Sequence, residues 1–271
     1  MAITFVDSQV VAQKSSSEIA GLTPPTHFTV QQGDVIVALF VFDNLTETTP
    51  TIDNIGWVSS SPGTNLPNQT WTRLGQVDSP QAAAAGGVRT ELWWATMSAD
   101  GIHHPYPSLS AAVTAKAATY MQFRGIDPTI TPVVTSGFGT TSTTSPAAPA
   151  YGLIVGGSGH EGNSQPDKLG GLSLPNMVSL GTKGASAVTN AWATLGYVIQ
   201  GPIGQGSTNN TWSTTDGGQI YAKFEQYVAP VGSDVQKIAI GSALVGINNI
   251  YIGSTKVNRI YVGSTMVYDD V

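Results

Sequence analysis

The chain has 271 residues, of which 41% are hydrophobic and only 10% are charged, and its formal net charge is −6. This length suits one large all-β domain or two smaller ones, and the low charge is typical of β-sandwiches with many turns. The 17 acidic and 11 basic residues include no cluster of Lys and Arg, which disfavours nucleic-acid binding because phosphate neutralisation requires such a cluster.

Cysteine is absent, so the sequence predicts neither a disulfide framework nor a cysteine-based zinc site. The segment Met1–Asp7 lacks a basic region followed by an apolar stretch, and no segment approaches about 18 uninterrupted apolar residues. We therefore expect no secretory signal and no membrane insertion.

Strand-like runs recur through the first third of the chain, at 3–6, 26–30, 35–42, 71–76 and 88–96. The run at 35–42 is apolar at every position, which indicates a strand covered on both faces at the centre of the body. The stretch 45–68 is rich in turn-forming residues and predicts a loop, with Trp57 pointing inward. The alanine run at 81–87 is interpreted as a hairpin tip rather than a short helix.

The longest periodic segment, 108–123, predicts β-structure. Its alternate positions form one largely apolar face, made of Ala111, Val113, Ala115, Ala117, Thr119, Met121 and Phe123. A helix is the competing interpretation, but the β-branched residues and the abrupt turn at Arg124–Pro128 favour two strands or one bent strand.

A Ser/Thr/Pro/Ala linker at 140–149 is predicted to separate two halves of a sheet system. A strand is expected at 151–155, followed by a long glycine-rich loop at 156–183. Further strands are expected at 191–200, 210–213 and 219–228, the last with Ile220, Ala222 and Phe224 facing inward. These elements predict a jelly-roll-like, two-sheet sandwich over residues 1–230.

The end of the chain repeats the pattern Ile-x-(Ile/Val)-Gly-Ser-x-x-Val three times, at 237–245, 249–257 and 259–267. In each copy two β-favouring runs flank Gly-Ser. A two-residue loop with Gly first suits a type II′ turn, because that position has φ > 0. Each copy therefore predicts a tight hairpin. A linker at 229–233 would join this hairpin-repeat unit, residues 231–271, to the sandwich.

Such short strands bury too little apolar area to order their own backbone. They must pack on the body of the chain, where they would complete its sheet, or on other chains around a symmetry axis. Pairing across Gly253-Ser254 places Ile and Val side chains on one face of the hairpin and Tyr251 on the other. We predict an oligomerisation or docking interface formed by Ile250, Tyr251, Ile252, Val257, Ile260, Tyr261, Val262 and Val267.

No residue pattern predicts a catalytic site. Gly156–His160 only loosely approaches a nucleophile elbow, because its spacing differs and no α/β alternation surrounds it. Glycoside hydrolysis needs two carboxyl groups about 5 to 9.5 Å apart, and the sequence alone cannot bring together any two of Glu91, Asp127, Glu161 and Glu225. We expect a protein without catalytic residues.

Two groups of residues that contain histidine are the candidate metal ligands. His103 and His104 are adjacent, and His160 with Glu161 and Asp167 lies in one predicted loop. Neighbouring histidines point apart on a strand, and no calcium-binding loop pattern is present. We interpret these residues as exposed loop side chains and expect neither a metal nor a cofactor.

We expect most of the six tryptophans to be core residues, and the alternative is that some of them form a sugar-stacking platform. They are Trp57, Trp71, Trp93, Trp94, Trp192 and Trp212.

The motif at 250–257 and 260–267 resembles the C-terminal repeats of structural proteins from tailed phages of actinobacteria, often called minor tail proteins. The body segments Gly33–Ala38, Trp71–Leu74 and Tyr120–Asp127 look like the β-sandwich domain that precedes such tails. This resemblance implies a non-enzymatic virion protein, assembled in the host cytoplasm and exposed on the particle.

The expected partners are other virion proteins of the tail or capsid and a host-surface glycan. We also predict a homotrimer, because three chains could present equivalent repeat faces to one another around one axis. One alternative is a capsid decoration protein on the head of the same type of phage. An alternative of another class is a carbohydrate-binding or polysaccharide-hydrolysing β-sandwich.

Overall fold

The computed structural model describes residues 2–13, 22–43, 50–58, 65–66, 69–78, 88–113, 115–138, 143–161, 178–184, 191–204, 209–210, 217–228, 236–240 and 243–247. Every regular element in these ranges is a β-strand, so the predicted all-β class is confirmed. The same ranges hold no helix long and apolar enough to cross a membrane.

In chain order the strands are β1 (Thr4–Gln13), β2 (Phe28–Val30), β3 (Val35–Asp43), β4 (Ile52–Trp57), β5 (Trp71–Asp78), β6 (Val88–Thr96), β7 (Gly101–His103), β8 (Pro105–Leu109), β9 (Lys116–Arg124), β10 (Val133–Phe138), β11 (Thr143–Thr144), β12 (Leu153–Glu161), β13 (Val178–Gly184), β14 (Ala191–Ile199), β15 (Asn209–Asn210), β16 (Gly217–Phe224), β17 (Gln236–Ile240) and β18 (Ala243–Ile247). The chain separates into two compact units, Met1–Tyr227 and Val228–Val271.

Two antiparallel five-stranded sheets form the first unit, in the orders β1-β9-β3-β6-β5 and β10-β16-β12-β14-β13. They pack face to face, with β14 against β9 and β3, and β16 against β6 and β5. The first unit also contains three two-stranded pairs, β2-β7, β4-β8 and β11-β15. The sandwich is confirmed; the jelly-roll detail is not, since each large sheet takes its strands from a single stretch of the chain.

Strand β3 lies at the centre of the first sheet and is buried on both faces, as predicted. Val35, Val37, Leu39 and Val41 belong to the core between the sheets, while Ile36, Ala38, Phe40 and Phe42 belong to a second core on the outer face. Burying a Val, Leu, Ile or Phe side chain contributes roughly 1.5 to 3 kcal/mol. These eight buried side chains therefore make β3 the main anchor of the body.

The glycine-rich run that begins at Gly156 is a strand rather than a loop, so that prediction is wrong for β12 and also for β13. A Cβ at position 157 would lie 2.5 Å from Leu39 Cδ1, and one at 159 would lie 2.8 Å from Val41 Cγ2. The missing side chains let the second sheet approach β3 closely. Glycine at these positions serves packing between sheets and does not mark a turn.

The predicted linker at 140–149 is misplaced by one strand. The chain passes from the first sheet to the second between β9 and β10, at the turn that begins with Gly125. Gly125 has φ +85°, and a Cβ there would collide with the carbonyl oxygen of Ala2, so only glycine fits this turn. The crossover therefore has a strict steric requirement at one residue.

Two further predictions on element boundaries are resolved. The loop predicted at 45–68 contains β4, which pairs with β8. The periodic segment 108–123 is β-structure and not a helix, with β8 ending at Leu109 and β9 starting at Lys116. Ile220, Ala222 and Phe224 face the core between the sheets as predicted. The predicted hairpin tip at 81–87 lies outside the described residues.

Candidate functional site

The first copy of the C-terminal repeat forms an antiparallel hairpin. Strands β17 and β18 pair so that Ile240 is opposite Ala243 and Ile238 is opposite Val245. Two residues, Gly241 and Ser242, separate the paired ends. The predicted pairing across Gly-Ser is therefore confirmed for this copy.

The second and third copies lie outside the residues that the structure describes, as does the predicted linker at 229–233. The interface predicted there stays a prediction, and it comprises Ile250, Tyr251, Ile252, Val257, Ile260, Tyr261, Val262 and Val267.

A cluster of hydrogen-bonded polar side chains surrounds Asp34, the residue directly before β3. Asp34 is fully buried and accepts hydrogen bonds from the backbone N–H of Gln31 at 2.9 Å and from Gln122 Nε2 at 2.7 Å. The guanidinium of Arg124 donates to both carboxylate oxygens, from Nε at 2.7 Å and from Nη2 at 2.9 Å. This bidentate pair fixes the β2–β3 turn to the end of β9.

A cavity of about 300 Å³ lies beside this pair, at the low end of the range for ligand pockets. Its lining comprises Gln31, Gln32, Gly33, Arg124, Gly125, Ile126, Pro128 and Tyr227. Arg124 is held in one orientation by Asp34, so its guanidinium offers a fixed planar surface beside apolar side chains. The arrangement suits an apolar or aromatic group. No local sequence pattern indicates this arrangement, because the pairing of Asp34 with Arg124 depends on the register between β3 and β9.

A second charged group lies on the outer face of the first sheet, along β5 and β6. Arg89 donates to both oxygens of Asp78, at 2.6 and 2.9 Å. Trp93 Nε1 donates to Glu91 at 2.8 Å, and Arg73 Nη1 lies 3.7 Å from the other Glu91 oxygen. Burial raises the pKa of Glu91. Burial alone would also raise the pKa of Asp78, but the hydrogen bonds and charge of Arg89 lower it below its ordinary value.

Three of the four carboxylates considered for glycoside hydrolysis, those of Glu91, Asp127 and Glu225, accept hydrogen bonds from neighbouring side chains. Glu91 is fully buried and bound by Trp93. Asp127 accepts hydrogen bonds from the backbone and hydroxyl of Thr129, and Glu225 accepts one from Lys223 at 3.0 Å. The backbone joins the last two, since Asp127 N–H donates to the Glu225 carbonyl at 2.8 Å.

The histidines differ from their predicted exposed loop positions. His103 ends β7 and is fully buried, with Nδ1 3.0 Å from the Leu66 carbonyl oxygen, and burial lowers its pKa. His104 Nε2 lies 2.8 Å from the Pro24 carbonyl oxygen, so the neighbouring rings do bind different partners. His160 lies on β12. Within the described ranges no group of three or more His, Cys, Asp or Glu residues is placed to hold a metal ion.

The five described tryptophans are half-buried. Trp71 and Trp93 pack on the outer core of the first sheet, and Trp94 packs on the core between the sheets. Among the part of the chain that the structure describes, no tryptophan belongs to the exposed large hydrophobic residues. Three of the five therefore pack against a core, but none is itself fully buried, so the prediction that most tryptophans are core residues is met only in part.

No protein family model, curated protein or solved structure matches the chain.

Proposed function

We propose that the protein is a non-enzymatic structural component of a tailed bacteriophage particle, of the minor tail protein type, exposed on the virion. The observation that carries this proposal is the threefold sequence repeat in residues 237–267, whose first copy forms a hairpin that pairs across Gly-Ser in the predicted register. In this function the sandwich is the exposed module and the repeat unit is the docking element.

The physical argument concerns burial. A two-stranded hairpin with strands of five residues has marginal stability in water unless its apolar side chains pack on something else. Three copies of one pattern offer similar Ile and Val side chains, with spacings of 12 and 10 residues between copies, which suits a symmetric set of partners. We assign those partners as two further copies of the chain in a homotrimer, together with neighbouring virion proteins.

The body supports this function by its rigidity. Its first sheet is packed on both faces, and the carboxylates of Asp34, Asp78 and Glu91 each bind a guanidinium or an indole within the body. We assign a host-surface glycan as the external partner of this exposed module.

The test compares binding of two proteins to purified phage particles: the full chain, and a variant lacking residues 235–271. We expect the full chain to sediment with particles that lack their own copy, and the shortened variant to remain in the supernatant while its sandwich still melts cooperatively. Equal sedimentation of both proteins would contradict the assignment of the repeat as the docking element.

Experiments with the same phage particles distinguish the two alternative functions. Sedimentation with isolated heads but not with isolated tails would favour a decoration protein of the capsid. Cleavage of host polysaccharide by the free chain, together with its absence from particles, would favour the hydrolase.

A further inference from the structure

The outer face of the second sheet carries a row of three buried polar side chains that the proposed function does not use. Ser158 on β12 is directly opposite Thr194 on β14 and Gln219 on β16. All three residues are at most 1% exposed. Leu195 and Ile220, which follow two of them in the chain, belong to the core between the sheets. The three polar side chains therefore share the opposite face.

Each of these side chains has a buried polar atom without a hydrogen-bond partner: Ser158 Oγ, Thr194 Oγ1 and Gln219 Nε2. The Tyr221 hydroxyl donates to Gln219 Oε1 at 3.3 Å, which orients the amide and leaves Nε2 as a free donor. A buried polar group without a partner costs about 1 to 3 kcal/mol. The summed free-energy cost of three such groups is large compared with the net stability of a folded protein, which is roughly 5 to 15 kcal/mol.

The spacing of the row suits bridging water. Side chains directly opposite each other on antiparallel strands have Cβ atoms roughly 4.5 to 5.5 Å apart. A water molecule bonded at about 2.9 Å to two polar atoms spans up to roughly 6 Å. One water cannot bridge the whole row, because Thr194 and Gln219 are two strand spacings apart, roughly 9 to 10 Å.

We propose that two ordered internal water molecules occupy this row, one between Thr194 and Ser158 and the other between Ser158 and Gln219. The Ser158 hydroxyl binds both, because it is a donor and an acceptor at once. Buried waters typically make about three hydrogen bonds to otherwise unsatisfied groups. These two waters connect side chains of β14, β12 and β16, three neighbouring strands that also pair through their backbones.

The sign of a stability change tests the proposal. Thr194→Val replaces the hydroxyl with a methyl group of similar size. With water bound, the variant loses a partner of that water, and we expect the folded-to-unfolded ratio in urea to fall about fivefold or more. In a dry row the same change removes an unpaired group, and the ratio rises. Thr72→Val, at an exposed position of β5, is the control.

A ratio for Thr194→Val at or above that of Thr72→Val overturns the proposal. Should Thr194→Val fail to fold, a high-resolution crystal structure of the unmodified full chain decides. Two solvent peaks within hydrogen-bond distance of Ser158 Oγ support the proposal, and one peak or none overturns it.

Discussion

A methyl group has no room at position 159 of the central glycine-rich strand. A Cβ there would collide with Thr90 Oγ1 and lie 2.8 and 2.9 Å from the two methyl carbons of Val41. Both neighbours are β-branched and stiff at χ1, so they cannot turn aside. We expect Gly159→Ala to lower the free energy of unfolding by about 1 to 3 kcal/mol, measured by urea denaturation.

Gly201→Ala is the matched control, because a Cβ at position 201 meets nothing within 4 Å. Both variants share the loss of unfolded-state entropy that accompanies a change from Gly to Ala, so the difference between them reports the collision. Equal midpoints for the two variants would show that the sheets do not approach closely at Gly159.

Glu91 predicts a dependence of stability on pH. Burial raises its folded-state pKa above the ordinary value of 4.5. The stability that Glu91 contributes is therefore complete below that ordinary value and is lost as pH rises through the folded pKa. Glu91→Gln keeps an acceptor for the Trp93 indole but carries no charge. We expect the variant to be more stable than the unmodified chain at pH 7.

This advantage of Glu91→Gln should shrink as pH falls towards 4.5, because the unmodified side chain then becomes neutral as well. Urea denaturation at several pH values between 4.5 and 7 measures it. An advantage that stays constant over this range would mean that the buried carboxyl is not the cause.

Individual contacts were the part of the molecule least accessible to sequence reasoning. Nothing in the local sequence indicates that Asp34 is buried and bound by Arg124, 90 residues away. His103 is predicted to be an exposed loop residue, but it lies at the end of β7 and is fully buried. Its burial depends on the pairing of β7 with β2, which no local pattern encodes.

Among the strands, β3 should open last. It pairs with β6 and β9 along its length, and both of its faces are buried, whereas β10 lies at the edge of its sheet with a single partner. We expect the amides of Val35–Asp43 to exchange only through global unfolding, and those of Val133–Phe138 to exchange faster through local opening. Hydrogen-exchange mass spectrometry measures both, and slower exchange in β10 would contradict the assigned topology.

Strands could be predicted from the sequence where their apolar residues show a clear pattern. β3 was predicted because each of its two faces reads as continuous apolar surface. β12 was missed beyond Val155, since Gly157 and Gly159 have no side chain to show a period, and their strand conformation depends on Leu39 and Val41 in the other sheet. β4 was missed because its polar composition is that of a loop, while β8 supplies its hydrogen-bonding partner.

At the scale of the whole molecule, the proposed trimer predicts that the hairpin-repeat unit can lose its apolar side chains without unfolding the sandwich. Replacing Ile250, Ile252, Ile260 and Val262 with Ser should reduce the mass measured by light scattering from trimer to monomer, because the apolar side chains that hold the copies together are lost. The sandwich should still melt cooperatively, since its cores lie within the first compact unit. An unchanged mass would contradict the trimer, and loss of the sandwich transition would show that the tail belongs to its core.

The most direct test of the proposed virion role is to locate the protein on purified phage particles. An antibody against the sandwich, used in immunogold electron microscopy, should label the tails of mature particles, and mass spectrometry of the same particles should detect peptides of the chain. Absence of both the label and the peptides from mature particles would contradict the account.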